Sequence, residues 1–107
     1  MRPAVGSVDV FRAISDPNRR RLIDLLAAGE KPVQELAGDF DITLAAVSQH
    51  LGVLRQAGLV TSRARGRQRL YQLQPAGLRV VDDWTAHYRG FWQSRLKSLR
   101  TVLDKKP

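Results

Sequence analysis

The stretch TLAAVSQHLGVLRQAGLV, residues 43–60, decides the fold of this chain. Thr43 is a good helix N-cap and Gly58 is typical of a helix end, so the residues between them are predicted to form one helix. The apolar residues recur at spacings of three, four and three, which places them on one face of that helix; they are Leu44, Val47, Leu51 and Leu54. The opposite face then presents small and polar side chains outward.

Two helices are predicted at the start of the chain. Ser7 can cap a short first helix that runs to about Ile14. Asp16 suits the N-cap and Pro17 the first position of a second helix, which Gly29 ends. The apolar residues of the second helix form a stripe that we expect to be buried: Leu22, Ile23, Leu25 and Leu26.

The segments on either side of the 43–60 stretch complete the order of elements. Pro32 is predicted to open a short third helix, and GDFDI, residues 38–42, is predicted to be a turn. Downstream, residues 59–65 and 68–73 have the composition of two strands joined around Gly66 and Arg67. A long last helix is predicted from about residue 78 to residue 103. The expected fold is mostly α with a small β-hairpin.

The charges of the chain are unevenly distributed. The formal net charge is +8, and no acidic residue occurs from Thr43 to Val81. Six arginines fall in that stretch: Arg55, Arg63, Arg65, Arg67, Arg69 and Arg79. A basic face that belongs to one part of the fold indicates a polyanionic partner.

Two helices, a tight turn between them and a basic hairpin together predict a winged helix-turn-helix that binds double-stranded DNA. In such a fold the second helix enters the major groove, and the residues near its N-terminus reach base edges. Gln49 can pair with adenine, and an alanine methyl can contact a thymine methyl. The predicted DNA contacts on this helix are Thr43, Ala45, Ala46, Ser48 and Gln49. In the hairpin they come from Arg63, Arg65, Arg67 and Arg69, of which we expect two to touch DNA.

Four pieces of the sequence resemble the arsenic-resistance-repressor (ArsR) family of bacterial regulators. They are SDPNRRRLIDLL, VQELA, AAVSQHLGVLRQAGLV and GRQRLYQL, which occur in this order between about Val8 and Leu73. The resemblance implies a dimeric repressor of a nearby promoter. It also implies that Ser48, Gln49 and His50 lie at the DNA and that Gly66 and Arg67 form the tip of the wing.

The sequence departs from the metal-sensing members of that family. The resemblance implies that many of those members bind metals through cysteines in a segment that matches ELAGDF, residues 35–40. This chain has no cysteine. Others bind zinc through Asp and His on the last helix, where only Asp83 and His87 share a face. Two ligands do not complete a tetrahedral site, although a dimer would supply more. We therefore expect no metal and no cofactor, and the effector, if a small molecule, is unidentified.

The last helix carries a wide apolar surface that includes Leu96 and Leu103. Some of it is expected to cover the core of the monomer, and the rest to form a homodimer with the first helix, because large exposed apolar patches usually mark interfaces. The sequence leaves open which aromatic residues cover the core and which form the dimer interface. The predicted dimer interface comprises Val10, Phe11, Ile14, Trp84, Tyr88, Phe91, Trp92 and Leu99. A single domain, residues 1–107, would then consist of a DNA-binding core at 8–77 and a dimerisation helix at 78–107.

Other readings of these residues remain open. His50, Ser48 and Gln49 are alternatively solvated helix residues, and charged wing residues also discourage edge-to-edge aggregation. The arginines at positions 19–21 are expected to lie on the helix surface or to have partners within the chain, and not to read bases. A non-specific DNA-packaging or protein-interaction module is the alternative function. An enzyme is not expected, because no phosphate loop or catalytic cluster occurs. No membrane span or signal peptide is expected either, which predicts a cytoplasmic protein.

Overall fold

The α4 helix, which corresponds to the stretch at 43–60, lies at the centre of a computed structural model that describes residues 8–105. Short helices precede it, and a hairpin and one long helix follow it, as in a winged helix-turn-helix. The elements are α1 (Val10–Ala13), α2 (Pro17–Ala27), β1 (Lys31–Pro32), α3 (Val33–Ala37), α4 (Leu44–Gln56), β2 (Val60–Arg65), β3 (Gln68–Leu73), a 3-10 helix (Pro75–Leu78) and α5 (Arg79–Asp104). The predicted fold class is confirmed.

Side-chain caps start three of the helices. Asp16 Oδ1 accepts from the amides of Asn18 at 2.8 Å and Arg19 at 3.2 Å, and Thr43 Oγ1 accepts from the amide of Ala46 at 3.0 Å, as predicted. The α1 helix is capped by Asp9, whose Oδ1 accepts from the amide of Phe11 at 3.3 Å. The predicted cap, Ser7, lies outside the described residues. Asp9 supplies the acceptor for the first turn, and α1 begins at Val10, two residues later than a cap at Ser7 would place it.

The hydrophobic core is formed where α2, α3, α4 and the sheet meet. Most of the predicted stripes are buried in it, with Leu22, Ile23 and Leu26 from α2 and Val47, Leu51 and Leu54 from α4. Leu25 is half-buried. Leu44 was predicted on the same face as these α4 residues, but it is 48% exposed. It shares the face of Val47, but it lies in the first turn of α4, which is outside the core. The spacing of apolar residues does not show which turns of a helix contact the core.

The sheet has three antiparallel strands in the order β1-β3-β2, one more than the predicted hairpin. The added strand pairs Lys31 with Tyr71 and Pro32 with Leu70. Its two residues are too few to show an alternating pattern, so the sequence did not reveal it. The hairpin register pairs Arg65 with Gln68, which leaves the two-residue turn at Gly66 and Arg67 as predicted. Gly66 has φ +60° and Arg67 does not have positive φ, a combination that fits a type II′ turn.

The α5 helix projects away from the rest of the molecule. None of its residues is buried, and its main contacts are with the 3-10 helix and α1. The radius of gyration is 18.4 Å, compared with about 13 Å for a compact domain of ~100 residues. The expectation that part of the α5 apolar surface covers the monomer core was therefore wrong. The core is closed by Leu36, Leu59 and Val60 together with the buried residues of α2 and α4.

The 3-10 helix holds the base of α5 against the turn that follows α4. The amide of Gln74 donates to the carbonyl of Leu59 at 2.7 Å. A Cβ atom at Gly77 would lie 2.5 Å from the carbonyl oxygen of Gly58, so a side chain at position 77 would push this segment away. The close approach of Gly77 thus fixes where α5 begins. Within residues 8–105, no helix is both long enough and apolar enough to cross a membrane.

Candidate nucleic-acid interface

The side of α4 that faces away from the core presents the small and polar residues that the sequence predicts at DNA. Ala45, Ser48 and Gln49 are exposed, and Ala46 and His50 at the flank are half-buried. Their side chains are short, apart from Gln49 and His50, so this face can approach another surface closely. The structure thus brings the predicted residues of the helix together on one exposed side.

The N-terminus of α4 adds positive potential to the same face. The first turn contains no acidic residue, and Thr43, itself exposed, satisfies one of the amides there. The remaining amides carry the partial positive charge of the helix dipole. A phosphate group placed beside this end of the helix would be attracted by it.

The four arginines of the wing differ in the contacts that their side chains make. Arg65 and Arg67 are exposed beside Gly66 at the tip, and within residues 8–105 neither makes an ion pair or a side-chain hydrogen bond. Arg69 Nη1 donates to Ser62 Oγ at 2.9 Å. Two cations at the tip of the wing are therefore available to a polyanion.

Arg63, which the sequence also predicts at DNA, is engaged within the chain. Its Nε and Nη2 donate to the two carboxylate oxygens of Glu30 at 2.9 and 2.8 Å. The hydrogen bonds from Arg63, together with its charge, hold the pKa of Glu30 below the ordinary value, and those same bonds raise the pKa of Arg63. The pair ties β2 to the segment between α2 and β1. The sequence gives no signal of it, because the partners lie 33 residues apart.

The three consecutive arginines at the start of α2 have partners within the chain, as predicted. Arg20 Nη1 donates to the carbonyl of Ile14 at 2.8 Å, and the Arg21 guanidinium lies 5.5 Å from the centre of the Phe40 ring. Arg19 donates to α1 carbonyls and contacts His50. The sequence did not predict this last contact, which joins α2 to the exposed side of α4.

The predicted dimer residues form one continuous surface along α1 and α5. The rings of Phe11 and Trp84 pack edge to face at 5.6 Å, and those of Trp84 and Tyr88 at 5.8 Å. The rest of the α5 set is exposed, namely Phe91, Trp92 and Leu99. Val10 and Ile14 are half-buried against the monomer core, so they offer less area to a partner.

Asp83 and His87 are both exposed on α5. The Nδ1 atom of His87 lies 3.2 Å from the carbonyl oxygen of Trp84, which leaves Nε2 as its nitrogen for other partners. In the part of the chain that the structure describes, no three His, Cys, Asp or Glu side chains lie close enough together to hold a metal ion.

Comparison with known proteins agrees with this geometry. Residues 16–62 match the family model described as bacterial regulatory protein, arsR family. The chain is 41% identical over 88 residues to the HTH-type transcriptional regulator Rv2034 of Mycobacterium tuberculosis, which covers 78% of this chain and 82% of that protein. It is 34% identical over 80 residues to the transcriptional repressor SdpR of Bacillus subtilis, with 75% and 89% covered.

A solved structure resembles most of the chain. It is a crystal structure described as a possible transcriptional regulator for arsenical resistance, with 42% identity and a TM-score of 0.67, covering 94% of this chain and 99% of that one. These relatives are transcriptional regulators, and none of them is named as an enzyme. The exposed face of α4, the cationic wing and these matches lead to one conclusion: the chain belongs to the arsR family of DNA-binding transcriptional regulators.

Proposed function

We propose that the chain is a homodimeric repressor that acts in the cytoplasm and binds an inverted-repeat operator. The observation that carries this proposal is the exposed, small and polar face of α4, which lies on a chain whose net charge is +8 and whose wing tip holds two exposed arginines. A helix with such a face fits the major groove. A hairpin beside it reaches the adjacent backbone.

The α4 residues divide into base contacts and close-approach positions. Gln49 is the longest exposed side chain near the start of the helix and reads adenine through a bidentate pair. Ser48 donates to or accepts from a neighbouring base edge or phosphate. Ala45 and Ala46 let the helix enter the groove deeply, and their methyl groups contact thymine. Thr43 and the free amides at the helix start bind a phosphate.

The wing contributes affinity and little base preference. Arg65 and Arg67 neutralise phosphates on either side of the Gly66 turn, which adds a salt-dependent term to binding. Arg63 keeps its bidentate contact with Glu30 and holds β2 at a fixed angle to the helices. Two of the four wing arginines then touch DNA, and the other two stabilise the wing.

The surface along α1 and α5 pairs with a second copy of the chain. Trp92 is 64% exposed, and Trp84, Tyr88, Phe91 and Leu99 are each more than half exposed, so a monomer leaves an unusually large apolar area in water. Pairing about a two-fold axis buries this area and duplicates the α4 helix. Two α4 helices about 34 Å apart would enter successive major grooves on one side of the duplex. The operator is then an inverted repeat with half-site centres about one helical turn apart.

Three measurements on the purified protein test the proposal. Selection of binding sites from random duplex DNA should recover an inverted repeat, and footprinting should show one discrete protected site. Sedimentation at micromolar concentration should give a dimer. A monomer that binds a single half-site tightly would contradict the dimeric model, and the absence of any discrete footprint would contradict sequence-specific binding.

A further inference from the structure

The Arg19 side chain links three parts of the fold through one guanidinium group. Its Nε donates to the carbonyl of Ala13 at 2.6 Å, and its Nη2 donates to the carbonyl of Arg12 at 3.3 Å. Arg19 thus provides donors for two carbonyl groups at the C-terminal end of α1. Its Nη1 lies 3.2 Å from His50 Nδ1 on α4. Arg19 itself starts from the capped first turn of α2, where its amide is held by Asp16.

The contact with Arg19 determines which nitrogen of His50 carries the proton. A guanidinium has only donors, so Nδ1 of His50 must accept and the proton of the neutral ring must be on Nε2. The two ring nitrogens lie on different edges of the ring, so Nε2 points away from Arg19. Within residues 8–105 Nε2 makes no hydrogen bond, and no side-chain nitrogen there is both shielded from solvent and without a partner. The Nε2–H group is therefore open to solvent.

Asp16 does not compete with Arg19 for the imidazole. Its Oδ1 accepts from the amides of Asn18 and Arg19 at the start of α2. Burial raises the pKa of Asp16, but these two hydrogen bonds and the nearby positive charge of Arg19 bring it below the ordinary value. The carboxylate is thus ionised and committed to the helix cap at neutral pH, and the guanidinium remains the partner of Nδ1.

We propose that Arg19 is a positioning residue for DNA binding, which holds His50 so that its Nε2–H donates to a DNA phosphate at the edge of the α4 face. This inference rests on the proposed function. His50 lies at the flank of the face that carries Gln49, where the helix would meet the backbone of the duplex rather than base edges. Arg19 fixes the ring orientation of His50 before DNA binds. A surface histidine without such a contact would become ordered only on binding.

The proposal is tested with Arg19→Ala, His50→Ala and the double variant, all measured on the selected operator. His50→Ala loses a hydrogen bond to a charged phosphate, which corresponds to about a tenfold loss of affinity per half-site. Arg19→Ala loses the prior ordering of one side chain, which corresponds to about a fivefold loss. The losses should be equal for all sequences, and Arg19→Ala should have no further effect in the His50→Ala background.

The salt dependence separates an indirect role of Arg19 from a direct one. A neutral imidazole that donates to a phosphate releases no counterion, so Arg19→Ala should leave the slope of log K against log salt unchanged. A slope lowered by ~0.9 per half-site would mean that Arg19 itself binds the phosphate, and would overturn the proposal. An equal loss of affinity with and without His50 would also overturn it.

Two conservative replacements of His50 give a test that leaves Arg19 in place. Asn keeps an acceptor near the position of Nδ1 but lacks the reach of Nε2, whereas Gln keeps a donor at that reach and loses the acceptor. His50→Gln should bind the operator more tightly than His50→Asn and should be insensitive to Arg19→Ala. Equal binding by the two replacements would contradict the proposal, even if Arg19→Ala failed to fold.

Failure of this inference is distinguishable from failure of the proposed function. Wild-type affinity in His50→Ala would overturn the role of Arg19. The proposed readout would still stand if Gln49→Ala lost base preference in the same experiment. Thermal melting by circular dichroism shows for each variant that the fold is intact at the assay temperature.

Discussion

Replacing the exposed arginine at the tip of the wing should weaken DNA binding in a way that depends on salt. Arg67 is exposed and makes no ion pair within residues 8–105. Arg67→Ala should therefore remove one phosphate contact per wing and leave the fold unchanged. Because the contact is with the backbone, affinity should fall by the same factor for the operator and for a scrambled duplex.

The size of the effect follows from the release of counterions. Each phosphate contact contributes ~0.9 to the slope of log K against log salt, so the two wings of a dimer contribute about 1.8. Between 50 and 200 mM salt, one such contact corresponds to about a 3.5-fold change in affinity, and two contacts correspond to about 12-fold. The wild-type protein should lose that much more affinity than Arg67→Ala over this range.

Arg63→Ala is the matched control, since it removes the same charge from the same hairpin. Its guanidinium is held by both oxygens of Glu30 although 60% of its side chain is exposed. We expect Arg63→Ala to leave the salt slope near that of the wild type. Fluorescence anisotropy titrations at four salt concentrations measure both slopes. A wild-type slope in Arg67→Ala, or an equal fall of slope in both variants, would refute the assignment of the wing arginines.

Four further changes test other parts of the proposal. Gln49→Ala should relax base preference at one position per half-site, at a cost of ~1–3 kcal/mol, and unaltered discrimination across operator variants would contradict its assigned role. Trp92→Glu should give a folded monomer in sedimentation and lower operator affinity about a hundredfold, because the avidity of two linked sites is lost; a dimer at wild-type affinity would exclude this part of α5 from the interface. Since the pKa of Glu30 is lowered in the folded chain, its contact with Arg63 should be complete above about pH 4.5 and be lost as the pH falls through the folded value; a carboxylate resonance that titrates at its ordinary pKa by NMR would argue against it. Gly77→Ala should lower the melting temperature, because its Cβ would lie 2.5 Å from a backbone carbonyl oxygen, and an unchanged melting temperature would show that the segment shifts freely.

The starts of α2 and α4 and the exposed polar face of α4 were predictable because they depend on neighbours in the chain. The caps of Asp16 and Thr43 act on amides two or three residues further on. The spacing of Val47, Leu51 and Leu54 places them on one side whatever they pack against. The face that carries Gln49 follows from the same periodicity, and the Gly66 turn follows from the composition of the hairpin.

Predictions from local sequence patterns were wrong or missing where an element extends beyond the core or pairs with a distant strand. Leu44 has the spacing of a core residue and is exposed, and Lys31 pairs with a strand 40 positions away in sequence without any pattern of its own. The apolar residues of α5 have the periodicity of a helix that covers a core. Nothing in their spacing indicates that the monomer closes its core without them.

The sequence by itself therefore determined the fold class, the exposed small and polar face of α4 and the position of the wing, because these depend on residues that are close together in the chain. Only the tertiary structure decided that Arg63 binds Glu30, that Arg19 holds His50, and that α5 stands clear of the core. The partners in the two side-chain contacts are 33 and 31 residues apart. Such pairs form only after the helices and the sheet have packed, so their geometry is a property of the packed elements and leaves no periodic trace in the chain.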